Sequence, residues 1–338
     1  MKKQKGIALI LVIFIITLAT IIVVDLTQST YLGSRRNAMV ENAASAEYLL
    51  KSAVSLSQVI IQRNGLQCNK FQPWHLFAQG APVPKSILDT GNENAVVELE
   101  IQPEESKFPA RVVVQTSGSQ VNIQWRDALT RLYNLLGFSS DADQTEPSGP
   151  MKGNYFDSPA LVANLIDYID TDNDNYNGQG SFSDGIDANL PKNFFPNSFP
   201  TEVSQMDIIP GYTDSRMRLL EALISVKGDG RVNINTASKE VLRSLTDDSV
   251  VSDPEIDQIV AEQNNPKSKG FQTGDGKLGQ IIANQQGAST FSSMIKYECK
   301  WFQVIAKARI GTASYYARAF IVVENSNDLP EIKGMEIY

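Results

Sequence analysis

The sequence predicts an α+β protein: a long N-terminal helix packed on a small antiparallel sheet, with a large α-helical domain inserted in it. Three observations predict this. The chain opens on an apolar run whose helical spacing persists after the run turns polar. Strand-like segments stand near residue 100 and again near the C-terminus. The stretch between them, about 126–290, reads as helices and loops. Two sequential domains would be the simpler arrangement, but strand signals on both sides of the helical block favour an insertion.

The opening segment, "KKQKGIALILVIFIITLATIIVVD", carries no charge from Ile7 to Val24. At ~1.5 Å per residue it covers about 27 Å as a helix, close to a hydrocarbon core. A cleavable signal has a shorter apolar region and a small-x-small exit, and "VVDLTQSTYLGS" offers none. Lys2, Lys3 and Lys5 ahead of the run and Asp25 behind it predict a cytoplasmic N-terminus. The bulk would then lie outside the inner membrane, where a disulfide persists. No proline falls between Arg36 and Arg63, and Ala43, Ala46, Leu50, Ala53 and Ile60 recur at helical steps. One continuous helix over 7–64 follows, membrane-spanning over about 7–24 and apolar on one face beyond.

"AVVELEIQPE" and "ARVVVQTSGSQVNIQW" read as strands, and "KWFQVIAKARIGTASYYARAFIVVE" as a hairpin turning at Gly311. They define a sheet domain over 65–125 and 291–338. The inserted domain, 126–290, holds helical patterns in "RDALTRLYNLLGF", "PALVANLIDYID", "DSRMRLLEALISV", "ASKEVLRSL" and "PEIDQIVAEQ".

Composition excludes several functions. With a net charge of −8 over 338 residues the chain is unsuited to nucleic acid. A single histidine, His75, leaves little scope for histidine-based catalysis or a histidine-rich metal site. Cys68 and Cys299 form no CxxC pairing, so neither a zinc site nor a redox motif is indicated. A disulfide between them is open and requires the helix end to meet the sheet.

The densest chemistry is acidic. Asp157, Asp167, Asp170, Asp172, Asp174, Asp184 and Asp187 fall between Lys152 and Lys192 with no basic residue among them. Asp170, Asp172 and Asp174 alternate in the one-three-five spacing that aims oxygens at a common centre, and Asp184 is placed to close the cage. The match to an EF-hand loop is partial, with Asn175 at the sixth position and Ser181 at the twelfth. Calcium suits an irregular all-oxygen cage better than magnesium; the alternative is a solvated acidic loop. A catalytic carboxylate pair finds no partner residue in the sequence.

"VKGDGRVNINTASKEVLRSL" resembles a helix-hairpin-helix module, its last helix capped by Asn235 or Thr236. Phosphate binding there would want a basic surround, yet Asp229, Asp247, Asp248, Asp253, Glu255 and Asp257 stand nearby. The segment reads as structural.

Gly6 before Ile7, with lysines ahead and a long apolar helix behind, resembles a type IV prepilin-like leader. Most such chains carry glutamate at the fifth mature position, which is Leu11 here. Together with "LIDYIDTD", "NSFPTEVSQMDIIPGYT" and "LISVKGDGRVNINTASKEVL", this is similar to the protein K family of minor pseudopilins in type II secretion; "QPEESKFPARVVV" fits the family less well. The resemblance implies a pilin-like fold and a leader, residues 1–6, removed between Gly6 and Ile7 by a prepilin peptidase that methylates the new N-terminus. It also implies calcium at Asp170, Asp172 and Asp184, with Asp174 and Asp187 as weaker candidates. The expected partners are minor pseudopilins I and J at a periplasmic pseudopilus tip, then the major pseudopilin G, the minor pseudopilin H and the inner-membrane secretion platform. No enzymatic activity is expected. The alternatives are a minor pilin of a type IV pilus and a membrane-anchored DNA-uptake protein.

Overall fold

A computed structural model describes residues 4–63, 66–88, 95–118, 120–140, 144–178, 182–325 and 328–338, the side chains of 4–8 excepted. Residues 1–3 of the leader, Asn64 and Ser181 lie outside that description. Helix α1, Gln4–Gln62, is 59 residues long, or about 88 Å. Its side chains from residue 9 to 41 are all exposed, although an 18-residue window has a mean hydropathy of 3.0. Burial begins at Ala46 and continues through Leu49, Leu50, Ala53, Val54, Ser57 and Ile61, a stripe at three- and four-residue steps. Ala43, expected on that stripe, is exposed, and Ile60 yields the inner position to Ile61. Each large side chain so buried is worth about 1.5–3 kcal/mol, so the second half of α1 is held by the sheet, while from residue 9 the first half is buried by none of the described residues.

Strands β1 (Ala81–Pro82) and β2 (Ala95–Pro103) follow. The inserted unit then runs through β3 (Phe108–Pro109), α2 (Ile123–Leu135), α3 (Ser158–Ile169), α4 (Asp214–Leu223), β4 (Ile224–Ser225), β5 (Val232–Asn233), α5 (Lys239–Ser244), α6 (Asp253–Gln263), α7 (Lys277–Ile281), α8 (Gln285–Met294) and β6 (Ile295–Lys296). The chain returns in β7 (Trp301–Ile310), β8 (Ala313–Val322) and β9 (Glu331–Ile337). One five-stranded sheet has the order β1-β2-β7-β8-β9, antiparallel throughout. Alternate residues of β2 (Val97, Leu99, Ile101) and β7 (Val304, Ala306, Ala308) are buried with the α1 stripe in one core. The β7–β8 hairpin turns at Gly311, whose φ of +60° suits glycine.

Pro103 pairs with Phe302, so the chain leaves and re-enters the sheet side by side. The excursion therefore spans 104–300, wider than 126–290. A second core gathers residues from Phe108 to Ile295 and none from the sheet. Residues 108–118 and 120–125, expected in the sheet domain, belong to this unit. In "ARVVVQTSGSQVNIQW", Ala110–Val113 is a 3-10 turn and Ile123 already begins α2. Val113 and Val114 are buried in the helical core: β-branched residues satisfied their need for burial there rather than in a ladder.

Two features fasten the seam. Buried Glu105 accepts N–H bonds from Lys300 and Trp301 and pairs with Lys296 at 3.2 Å, while Glu104 pairs with Lys107 at 3.0 Å. Cys68 and Cys299 are bonded, their Cα atoms 5.4 Å apart. Beside them, Leu66 O accepts the Cys299 N–H and Gln67 bridges Glu298, so the end of α1 meets the sheet as the bond requires.

Candidate functional site

Helix α3 reads "SPALVANLIDYI", and Asp157 caps it by accepting the Ala160 N–H. A carboxylate inside so apolar a helix needs dedicated partners. Asp167 has three: the backbone N–H groups of Tyr176, Ile186 and Asp187 all donate to it. Burial nevertheless raises its pKa to about 6, against the effect of those bonds. The following loop is thus wound around one buried carboxylate. Gly185 permits the approach, since a Cβ there would fall 2.1 Å from Asp167 Oδ2. In the sequence Asp167 is only one of seven aspartates; its signal is that it is the lone charge on a largely apolar helix.

Asp170, at the end of α3, and Asp187 are both buried, and Asp170 Oδ1 and Asp187 Oδ2 have no hydrogen-bond partner. Burial, then the charges of Asp172, Asp167 and Asp187, push the Asp170 pKa up to about 8. Burial, then Asp172 and Asp174, push Asp187 up as well. Asp172 and Asp174 are exposed, with Asp172 Oδ1 accepting the Asp174 N–H. Asp170, Asp172 and Asp174 border a 430 Å³ cavity that Arg126, Asn175 and Tyr176 also line.

The structure therefore draws Asp170, Asp172, Asp174 and Asp187 into one electrostatic cluster. Asp184 stands differently: it accepts the Gly178 N–H and closes the loop. Among the described residues, no three acidic, histidine or cysteine side chains form a ready metal cage. The donor set still fits a hard cation. Two buried carboxylate oxygens lack partners, and a hydrogen-bond donor or a cation would satisfy either one.

The "INTA" segment is a structural knot. Asn235 donates to Phe271 O and accepts the Phe271 N–H, while Asn233 Oδ1 accepts the Asn235 N–H. Gln263 donates to Ile234 O and Ala237 O. The cap of α5 is Ser238, which accepts the Val241 N–H, rather than Asn235 or Thr236. The asparagines are committed to the turn before the helix, so they cannot also cap it.

Fold and site define a pilin-like architecture: a long apolar-fronted helix on an antiparallel sheet, enlarged by a helical unit that carries an acidic loop. The chain is 23% identical over 314 residues to type II secretion system protein K of Pseudomonas aeruginosa, covering 92% of this chain and 86% of that protein. It shares its fold with a chain in the crystal structure of the GspK–GspI–GspJ complex from enterotoxigenic Escherichia coli, at a TM-score of 0.59 and 15% identity. That match covers 91% of this chain and 99% of the other. No family model matches the sequence. Both similarities run along most of the length of the two matched chains.

Proposed function

We infer that the chain is the minor pseudopilin K of a type II secretion system, a non-enzymatic subunit at the tip of the periplasmic pseudopilus. One observation carries the reading. Helix α1 is gripped by the sheet from Ala46 to Ile61 but exposes every described side chain from residue 9 to 41, as suits a segment that moves from bilayer into a helical bundle. The inserted unit favours a terminal position, because a module of this bulk fits poorly inside a thin filament. Leu11 agrees: it offers no carboxylate to the N-terminal ammonium of a further subunit, and an unpaired charge in the bilayer is costly.

On this reading the N-terminus is cytoplasmic, the bulk is periplasmic, and minor pseudopilins I and J are the immediate partners. The major pseudopilin G, the minor pseudopilin H and the inner-membrane platform follow in assembly. Co-expression with a prepilin peptidase should give a mature, methylated chain beginning at Ile7, read by mass spectrometry. Gly6→Ala should abolish the cut and leave membrane insertion intact; an uncut wild-type chain would count against the pseudopilin reading.

The acidic loop is proposed as a calcium site. Asp170 and Asp187 would supply buried oxygens, and Asp172 and Asp174 exposed ones. Bound calcium would neutralise the repulsion within the cluster. At a hundredfold excess over its Kd, calcium should stabilise the fold by about 3 kcal/mol, seen as a higher melting temperature. Asp172→Ala should remove the shift, and a wild-type protein indifferent to millimolar calcium would leave the cluster a solvated loop.

A further inference from the structure

A second cavity, 360 Å³, lies at the seam between the sheet and the inserted unit. Its walls come from both sides: Lys70, Trp74 and His75 after α1, Gln102 from β2, and Thr236 and Ser238 ahead of α5. None of the described residues lining it is aspartate or glutamate, in a chain with 38 acidic and 30 basic residues.

Among the described residues, two buried nitrogens of this wall have no hydrogen-bond partner, and one ammonium has no carboxylate beside it. Trp74 is 1% exposed, and its Nε1–H, which can only donate, has no partner. His75 Nδ1 is likewise buried and unpartnered. Lys70 Nζ donates to Gln263 Oε1 at 3.0 Å and Asn264 Oδ1 at 3.1 Å, both neutral. No carboxylate among the described residues pairs with it. Lys107, also in the wall, is already neutralised by Glu104, so the uncompensated charge is that of Lys70. Burial lowers the pKa of Lys70, and burial followed by the Lys70 charge lowers that of His75. Both shifts are those of cationic groups with no anion beside them.

We propose that this seam cavity is a carboxylate-binding site, taking a small acid or the carboxylate of a peptide chain end against the Lys70 ammonium and the Trp74 indole N–H. Its volume suits a short ligand, and a carboxylate presents an acceptor for the Trp74 N–H and a counter-charge for Lys70. Because the two walls belong to different units, an occupant would also hold them together.

The test is calorimetric titration of the full chain in detergent with four probes: propionate, propionamide, an N-acetylated tripeptide with a free C-terminus, and the same tripeptide amidated. Each acid should bind at least about tenfold tighter than its amide. The ratio between the two acids distinguishes a free acid from a chain end. Lys70→Gln, which keeps a donor to Gln263, and Trp74→Phe should each weaken acid binding by about tenfold. Equal binding of acid and amide, no binding at millimolar concentration, or acid affinity unchanged in Lys70→Gln would overturn the proposal.

Discussion

Lys296→Met should destabilise the protein by about 3–5 kcal/mol, because it leaves a buried charge without its partner. Lys296 is 7% exposed in its side chain and Glu105 1%. Desolvation already raises the Glu105 pKa from its ordinary 4.5, and the lysine charge works against that rise. Without the lysine the carboxyl moves further up. A carboxyl raised in the folded state favours folding below its unfolded pKa and loses that contribution as pH rises through its folded one. The deficit of Lys296→Met should therefore grow from acidic toward alkaline pH. Adding Glu105→Gln should recover most of it, since a glutamine oxygen still accepts the Lys300 and Trp301 N–H groups. Urea unfolding at two pH values measures both effects; a deficit independent of pH would contradict the assignment.

Loss of the Cys68–Cys299 bond should cost about 2–5 kcal/mol. The bond closes a loop across a sequence separation of 231, so the unfolded chain regains much freedom when it is cut. The native side loses little, because the Leu66 carbonyl and the Gln67–Glu298 bridge still join the two segments. The Cys68→Ser, Cys299→Ser double variant should unfold at markedly lower urea while keeping its secondary structure. An unchanged midpoint would mean that the seam is held by its ion pairs alone.

How much was legible follows from what each residue depends on. Helix α1 was readable because its pattern is local: an uncharged run, then a stripe at helical spacing. Strand β2, the β7–β8 hairpin and the helices α2 to α6 were readable for the same reason. The segment around Val113 and Val114 was misread, because its burial depends on α2 and β4, the latter about a hundred residues further on. The cap of α5 was assigned to Asn235 or Thr236, but long-range bonds to Phe271 had claimed Asn235. In the acidic loop the aspartates were visible and their division of labour was not. Asp167 and Asp184 build the loop, whereas Asp170 and Asp187 hold unpartnered oxygens; only the folded chain separates these roles.

Under the proposed function this chain completes a tip assembly with minor pseudopilins I and J. Co-expression of the tagged full chain with candidate I and J proteins, followed by purification in detergent and size-exclusion chromatography, tests that assembly. A single peak containing all three chains is the predicted result. The chain eluting alone while I and J elute as a pair would contradict it.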